Sequence, residues 1–209
     1  MPLHRSATVI GSILLWALAV PVVAQQADAI SSGTEWGQYR GNLAGTGFSP
    51  LDQINQDNVA DLQVAWSYSL RSEDENARGP NSQATPIVVN GIMYVPAGDR
   101  VVALDPVSGQ EIWRHQLSEG TPSRRGVSYW PGDSSHNPRI LFTSSRRLVS
   151  LDAATGSIVS EFGQSGEIDM IIPYNSVPMV YDNIIVVGAN TPRGAIGGIG
   201  NARGFDVLS

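Results

Sequence analysis

From residue 85 onward the chain alternates short apolar runs with polar turns. Thr85-Pro86-Ile87-Val88-Val89 and Ile92-Met93-Tyr94-Val95 flank Asn90-Gly91, the dipeptide that most strongly signals a tight hairpin. Two further runs, Arg100 to Leu104 and Gln110 to Leu117, follow at once. Together they predict a four-stranded antiparallel unit. No stretch beyond Gln25 sustains a 3.6-residue apolar period, so an all-β fold is expected.

The pattern then repeats. Val101-Val102-Ala103-Leu104-Asp105-Pro106-Val107-Ser108-Gly109-Gln110-Glu111-Ile112-Trp113 recurs as Leu148-Val149-Ser150-Leu151-Asp152-Ala153-Ala154-Thr155-Gly156-Ser157-Ile158-Val159-Ser160, and a third copy begins at Gly204-Phe205-Asp206. Asp105 and Asp152 stand 47 residues apart, Asp152 and Asp206 54, and Trp66 and Trp113 again 47. In each Asp-x-x-Ser/Thr-Gly turn the carboxylate can bond back onto the turn backbone, and the Gly can take positive φ without a Cβ penalty. A period of about 40 to 50 residues in a strand-rich chain is the signature of β-propeller blades, each a four-stranded antiparallel sheet. The expected architecture is a β-propeller of which this chain holds about three blades.

The first 24 residues form a separate unit. Arg5 precedes a stretch from Ala7 to Ala24 without a charged side chain, ending Val22-Val23-Ala24 before Gln25. This reads as a Sec-type signal peptide over 1–24, followed by the propeller portion over 25–209. Export to the periplasm follows. An uncleaved membrane anchor is the alternative, since about 18 apolar residues can just span a bilayer, and membrane association stays open.

Composition closes several function classes. The chain has no Cys, which removes disulfides, thiolate nucleophiles and Cys-ligated metals. All 13 residues of the Lys and Arg total are Arg, so Schiff-base and P-loop lysine chemistry are absent. The formal net charge of −6 disfavours nucleic acid as a partner.

Ala103 to Trp113 resembles in full the Ala-x-Asp-x-x-Ser/Thr-Gly-x-x-x-Trp blade motif of the pyrroloquinoline quinone (PQQ) dehydrogenases, whose tryptophans dock one blade on the next. The second copy departs from it, with Ser160 in place of Trp. Trp36 to Asn42, Gly45 to Pro50 and Asn58 to Trp66 are similar to the way mature members of that family begin. The resemblance implies an eight-bladed propeller, bound PQQ and calcium, and oxidation of an alcohol or a sugar. Electrons would pass to ubiquinone or a cytochrome c. Trp66 and Trp113 are accordingly structural.

Four residues carry the site the resemblance implies. Arg124-Arg125-Gly126-Val127-Ser128-Tyr129-Trp130 resembles the family's Arg-Gly-x-x-Tyr-Trp element, in which the fixed fork of Arg125 would stabilise negative charge on the quinone oxygens; a solvated Arg or an interblade salt bridge is the plainer role. Gln83, three residues before Pro86, stands where the family has a Glu or Gln aimed at the cofactor, and is otherwise an exposed strand-end residue. Ser176 of Ser176-Val177-Pro178 resembles a Thr-x-Pro turn whose hydroxyl reaches a cofactor carboxylate, against an ordinary turn serine. Asn190 follows a strand where relatives continue to an acidic calcium ligand; here no acidic residue occurs between Asp182 and Asp206, so no calcium ligand is assigned. The resemblance puts the catalytic carboxylate and the tryptophan stacked on the quinone beyond Ser209, and the fragment alone is expected to be inactive.

Other features take structural readings. Gly194 to Gly200 does not spell Gly-x-Gly-x-x-Gly, which sets aside a dinucleotide site. His115 and His136 show no ligand spacing, and Glu73-Asp74-Glu75 is a solvated loop. Two non-catalytic readings stay open: a periplasmic propeller scaffold, which would normally carry a lipid-anchored Cys absent here, and a carbohydrate-binding propeller.

Overall fold

The computed structural model describes residues 35–72, 83–190 and 201–209; the expected signal peptide over 1–24, the acidic run 73–75 and the glycine-rich stretch 194–200 lie outside them. β1 (Ile87–Val89), β2 (Ile92–Ala97), β3 (Arg100–Leu104) and β4 (Glu111–Gln116) form one antiparallel sheet in that order. The expected hairpin is present with its register set by the turn: Val89 faces Ile92 across Asn90 at φ +51 and Gly91 at φ +73. β5 (Ser128–Trp130), β6 (Arg139–Ser144), β7 (Arg147–Asp152) and β8 (Glu167–Asp169) form a second such sheet, and β9 (Met179–Tyr181), β10 (Ile184–Val187) and β11 (Arg203–Asp206) a three-stranded third. These are successive blades one to three. The regular non-strand element among the described residues is a 3-10 turn at Val59–Asp61.

The strands run nearly continuous in hydrophobicity because both faces of a blade are covered. In β3 every residue is buried, yet alternate side chains serve different interfaces, as the two-residue period requires. Val101 and Ala103 join Ile140, Phe142, Val149 and Leu151 between blades one and two. Val102 and Leu104 face the other way, toward Trp66, Tyr68 and Leu70. Blade two repeats the logic: Leu141 and Leu148 turn toward Ile185, Val187 and Val207 of blade three.

The blade motif closes as its chemistry requires. Asp105 Oδ1 accepts from the backbone N–H of Val107 at 2.9 Å and of Ser108 at 2.7 Å, and Gly109 takes φ +71. Asp152 does the same for Ala154 and Thr155, both at 3.0 Å, with Gly156 at φ +70. Bonds to Ser108 hold the Asp105 carboxyl below its usual pKa. The glycines have a second role that turn geometry alone does not reveal. A Cβ on Gly109 would sit 2.5 Å from the Trp66 ring, and one on Gly156 2.5 Å from the Trp113 ring. Each tryptophan lies flat on the bare glycine of the next turn and donates its indole N–H to the residue after the Asp: Trp66 to Pro106 O at 3.1 Å, Trp113 to Ala153 O at 3.0 Å.

The N-terminal segment completes the inner edge of blade one. Trp36 pairs with Val88 through reciprocal backbone bonds of 3.0 and 2.9 Å, and Glu35 Oε1 accepts from Asn90 N at 2.8 Å.

Candidate functional site

The first strand of each blade, β1, β5 or β9, is its inner edge, and the segment leading into it holds one candidate residue. Gln83 stands four residues before β1, Arg125 three before β5 and Ser176 three before β9. The three segments are stitched to one another. Gln83 N donates to Arg124 O at 3.2 Å and Thr85 N to Arg125 O at 3.1 Å. Ser123 Oγ donates to Asn175 O at 3.0 Å, Thr143 Oγ1 to Ser176 O at 3.2 Å, and Ser128 Oγ to Pro178 O.

Gly126 marks the convergence. Its φ of +146 lies in a region that favours glycine, and an added Cβ would meet Thr85 O at 3.1 Å and Val177 Cγ2 at 3.2 Å. All three segments therefore touch within one residue's volume. Asn190, three residues past β10, joins the same end: its N–H donates to Pro173 O at 2.9 Å. The fold thus gathers the backbones of all four candidates at one end of the blades.

Their side chains differ in setting. Arg125 and Gln83 are exposed, while Ser176 and Asn190 are half-buried. Among the described residues the Arg125 guanidinium has no carboxylate partner, unlike Arg147, which pairs with Glu167 at 3.2 Å, and Arg146, which pairs with Asp169. Bonding to Arg146 holds the Asp169 carboxyl below its usual range. Ser176 lines a cleft of about 290 Å³ between residues 37–45 and the inner strands β5 and β9. Arg124 borders a neighbouring cleft of about 400 Å³ with Ser123, Ser145 and Tyr174.

The Tyr-Trp of the Arg-Gly-x-x-Tyr-Trp element is buried, although Tyr129 also lines the cleft that Ser176 borders. Tyr129 is buried against Tyr94, with ring centroids 6.4 Å apart, and accepts from Asn90 Nδ2 at 3.3 Å; burial pushes its phenol pKa up. Trp130 faces the opposite interface and donates to Asn183 Oδ1 at 3.2 Å. Strand alternation sends the two rings into separate cores, so they hold the element in place and leave Arg125 as its exposed polar group. Ser123 and Thr143, which tie blade two to the segment bearing Ser176, carry no sequence signature. A buried hydroxyl looks in sequence like any other serine or threonine. Among the described residues no group of three or more His, Asp or Glu could hold a metal ion.

The arrangement offers donors of three kinds, a guanidinium, amides and a hydroxyl, without a carboxylate in the candidate set. Donors of these kinds can bind an anionic ligand.

Quinohemoprotein alcohol dehydrogenase from Comamonas testosteroni is 37% identical over 185 residues, covering 82% of this chain and 23% of that protein. Quinoprotein glucose dehydrogenase A from Acinetobacter calcoaceticus is 32% identical over 183 residues, covering 74% of this chain and 23% of its own length. The crystal structure of the Comamonas testosteroni enzyme superposes with a TM-score of 0.67 at 30% identity, over 87% of this chain and 27% of that one. The chain thus spans about a quarter of the length of these relatives. Residues 36–209 match the family described as PQQ: glucose/ethanol/alcohol dehydrogenase, beta-propeller domain, and the chain belongs to that family.

Proposed function

We propose that this chain forms the cofactor-facing rim of three consecutive blades in a PQQ-dependent dehydrogenase that oxidises an alcohol or a sugar. The observation that carries the reading is the meeting of the segments bearing Gln83, Arg125 and Ser176 at Gly126, where donors suited to a polyanionic ligand share one end of the blades.

PQQ, when bound, supplies a two-electron acceptor in its ortho-quinone, which ends as the quinol. Arg125 binds and orients it: an always-charged planar fork holds negative charge on an oxygen without a proton of its own being lost. Gln83 and Asn190 donate amide N–H groups to polar atoms of the ring rim, and Ser176 donates its hydroxyl to a carboxylate. Neutral donors add attraction without placing like charge beside the anion. Calcium belongs to the proposal for the complete protein, with no ligand assigned among the described residues. The catalytic base is likewise assigned to no residue of this chain.

We further propose that the protein is exported to the periplasm by residues 1–24 and passes electrons to a quinone or cytochrome c acceptor. The test is reconstitution of the protein that carries this chain. Purified without cofactor, it is mixed with PQQ and calcium and assayed for reduction of an artificial dye with a panel of alcohols and sugars. Dye reduction that needs both PQQ and one of these substrates supports the reading. Saturable sugar binding with no PQQ-dependent turnover would replace it with a carbohydrate-binding propeller.

A further inference from the structure

Blades one and two are each gripped by a tryptophan from the segment that precedes them, Trp66 before blade one and Trp113 on β4 before blade two, whose indole N–H binds the carbonyl immediately after the turn Asp: Pro106 after Asp105, Ala153 after Asp152. The corresponding carbonyl in blade three is Val207, after Asp206, and the tryptophan that would reach it is missing. Position 160 holds an exposed serine. The outer strand of blade two also leaves its ladder there. Ile158 still bridges Leu151, but regular pairing with β7 resumes only at Glu167.

Val207 O is nevertheless occupied. Arg139, the first residue of β6, donates from Nη1 at 2.7 Å. Its side chain is 2% exposed, its guanidinium lies 5.5 Å from the Trp130 ring centroid, and Nη2 reaches Glu161 Oε1 at 3.3 Å. In the excursion after Ser160, Phe162 is fully buried in one cluster with Trp130, Leu141 and Val207.

We propose that Arg139 and Phe162 together replace the docking tryptophan missing at position 160, Phe162 supplying the apolar ring and Arg139 the N–H that grips Val207 O. A buried guanidinium is costly unless its donors are met. Here a carbonyl, an aromatic face and a carboxylate meet it. The carboxylate is the lesser partner: the Glu161 side chain is 61% exposed, so water screens that pair. The third interface is therefore a two-residue lock drawn from β6 and the post-Ser160 excursion, which a motif search for Trp at the blade end does not detect.

Hydrogen exchange on the protein that carries this chain tests the lock. Arg139→Met is expected to raise exchange in residues 203–209 about tenfold, the consequence of losing one buried bond, while exchange in residues 87–104 stays at the wild-type rate. Glu161→Gln is expected to leave both regions unchanged. Wild-type exchange at 203–209 in Arg139→Met, or a full effect from Glu161→Gln, overturns the proposal. Should Arg139→Met not fold, Arg139→Gln serves instead: a smaller rise confined to 203–209 supports the lock, and no local rise overturns it.

Discussion

The indole N–H of Trp113 in blade one donates to the carbonyl of Ala153 in blade two at 3.0 Å, with its ring laid on the bare Gly156. One side chain thus combines a buried aromatic surface with a satisfied polar tip, and its effects can be separated. Trp113→Phe keeps most of the apolar surface and loses the bond, which is expected to cost about 1 kcal/mol. Trp113→Ala empties the interface and is expected to cost about 3–5 kcal/mol. Denaturant unfolding of the two variants measures both, and wild-type stability in Trp113→Phe would deny the bond a role.

The glycines of the turns are not equivalent. Gly156 needs its φ of +70 and also has no room for a Cβ, whereas Gly91 has φ +73 with nothing within 4 Å. Gly91→Ala is expected to cost about 1 kcal/mol from backbone strain alone. Gly156→Ala adds displacement of the Trp113 ring and is expected to be clearly the worse of the two in thermal unfolding.

At the rim, Gly126→Ala is expected to separate affinity from stability. Its Cβ would press on Thr85 O at 3.1 Å and Val177 at 3.2 Å, pushing apart the segments that bear Gln83, Arg125 and Ser176. PQQ affinity should fall, since the neighbours must give by a few tenths of an ångström and carry the donors with them, with a thermal shift smaller than that of Gly156→Ala. Titration calorimetry and thermal scans on the same preparation check this.

His115 makes the blade one–two interface sensitive to acid. Burial is the largest influence on it and pulls its pKa below 6.5, outweighing the opposing bond between Nδ1 and Gly156 O at 3.1 Å. Because the folded pKa lies below the unfolded one, the unfolded chain binds more protons as pH falls through 6.5. The stability present above that pH is then progressively lost until the folded pKa is passed. The variant His115→Gln is expected to flatten this part of the stability profile between pH 7.5 and 5. A profile parallel to wild type would remove His115 from the account.

The blades were legible wherever turn chemistry and alternation agree. Asn90-Gly91 sets the register of β1 on β2, and the two Asp-x-x-Ser/Thr-Gly turns bring β4 back onto β3 and Ile158 back onto Leu151, because each needs positive φ at a fixed place. The excursion from Ser160 to Gly166 was not legible. Phe162 is buried there by packing against another blade, and Gly163 takes φ +56 over Glu167; both are long-range consequences that no local pattern carries. The same limit applies to the site. Gln83, Arg125 and Ser176 were pointed to by the family resemblance of their segments, but the hydroxyl bonds of Ser123 and Thr143 depend on which segments become neighbours. Tyr129 and Trp130 went to the core because alternation on β5 leaves them no other place.

The central claim is that Arg125 lies on a PQQ-binding rim, and it is tested most directly by titrating PQQ into the cofactor-free protein that carries this chain, with wild type and Arg125→Ala side by side. Loss of a charge-assisted contact predicts a Kd for Arg125→Ala raised about tenfold or more, with thermal unfolding of the free protein unchanged because the side chain is exposed. An unaltered Kd would contradict the assignment of Arg125 and the rim built around it.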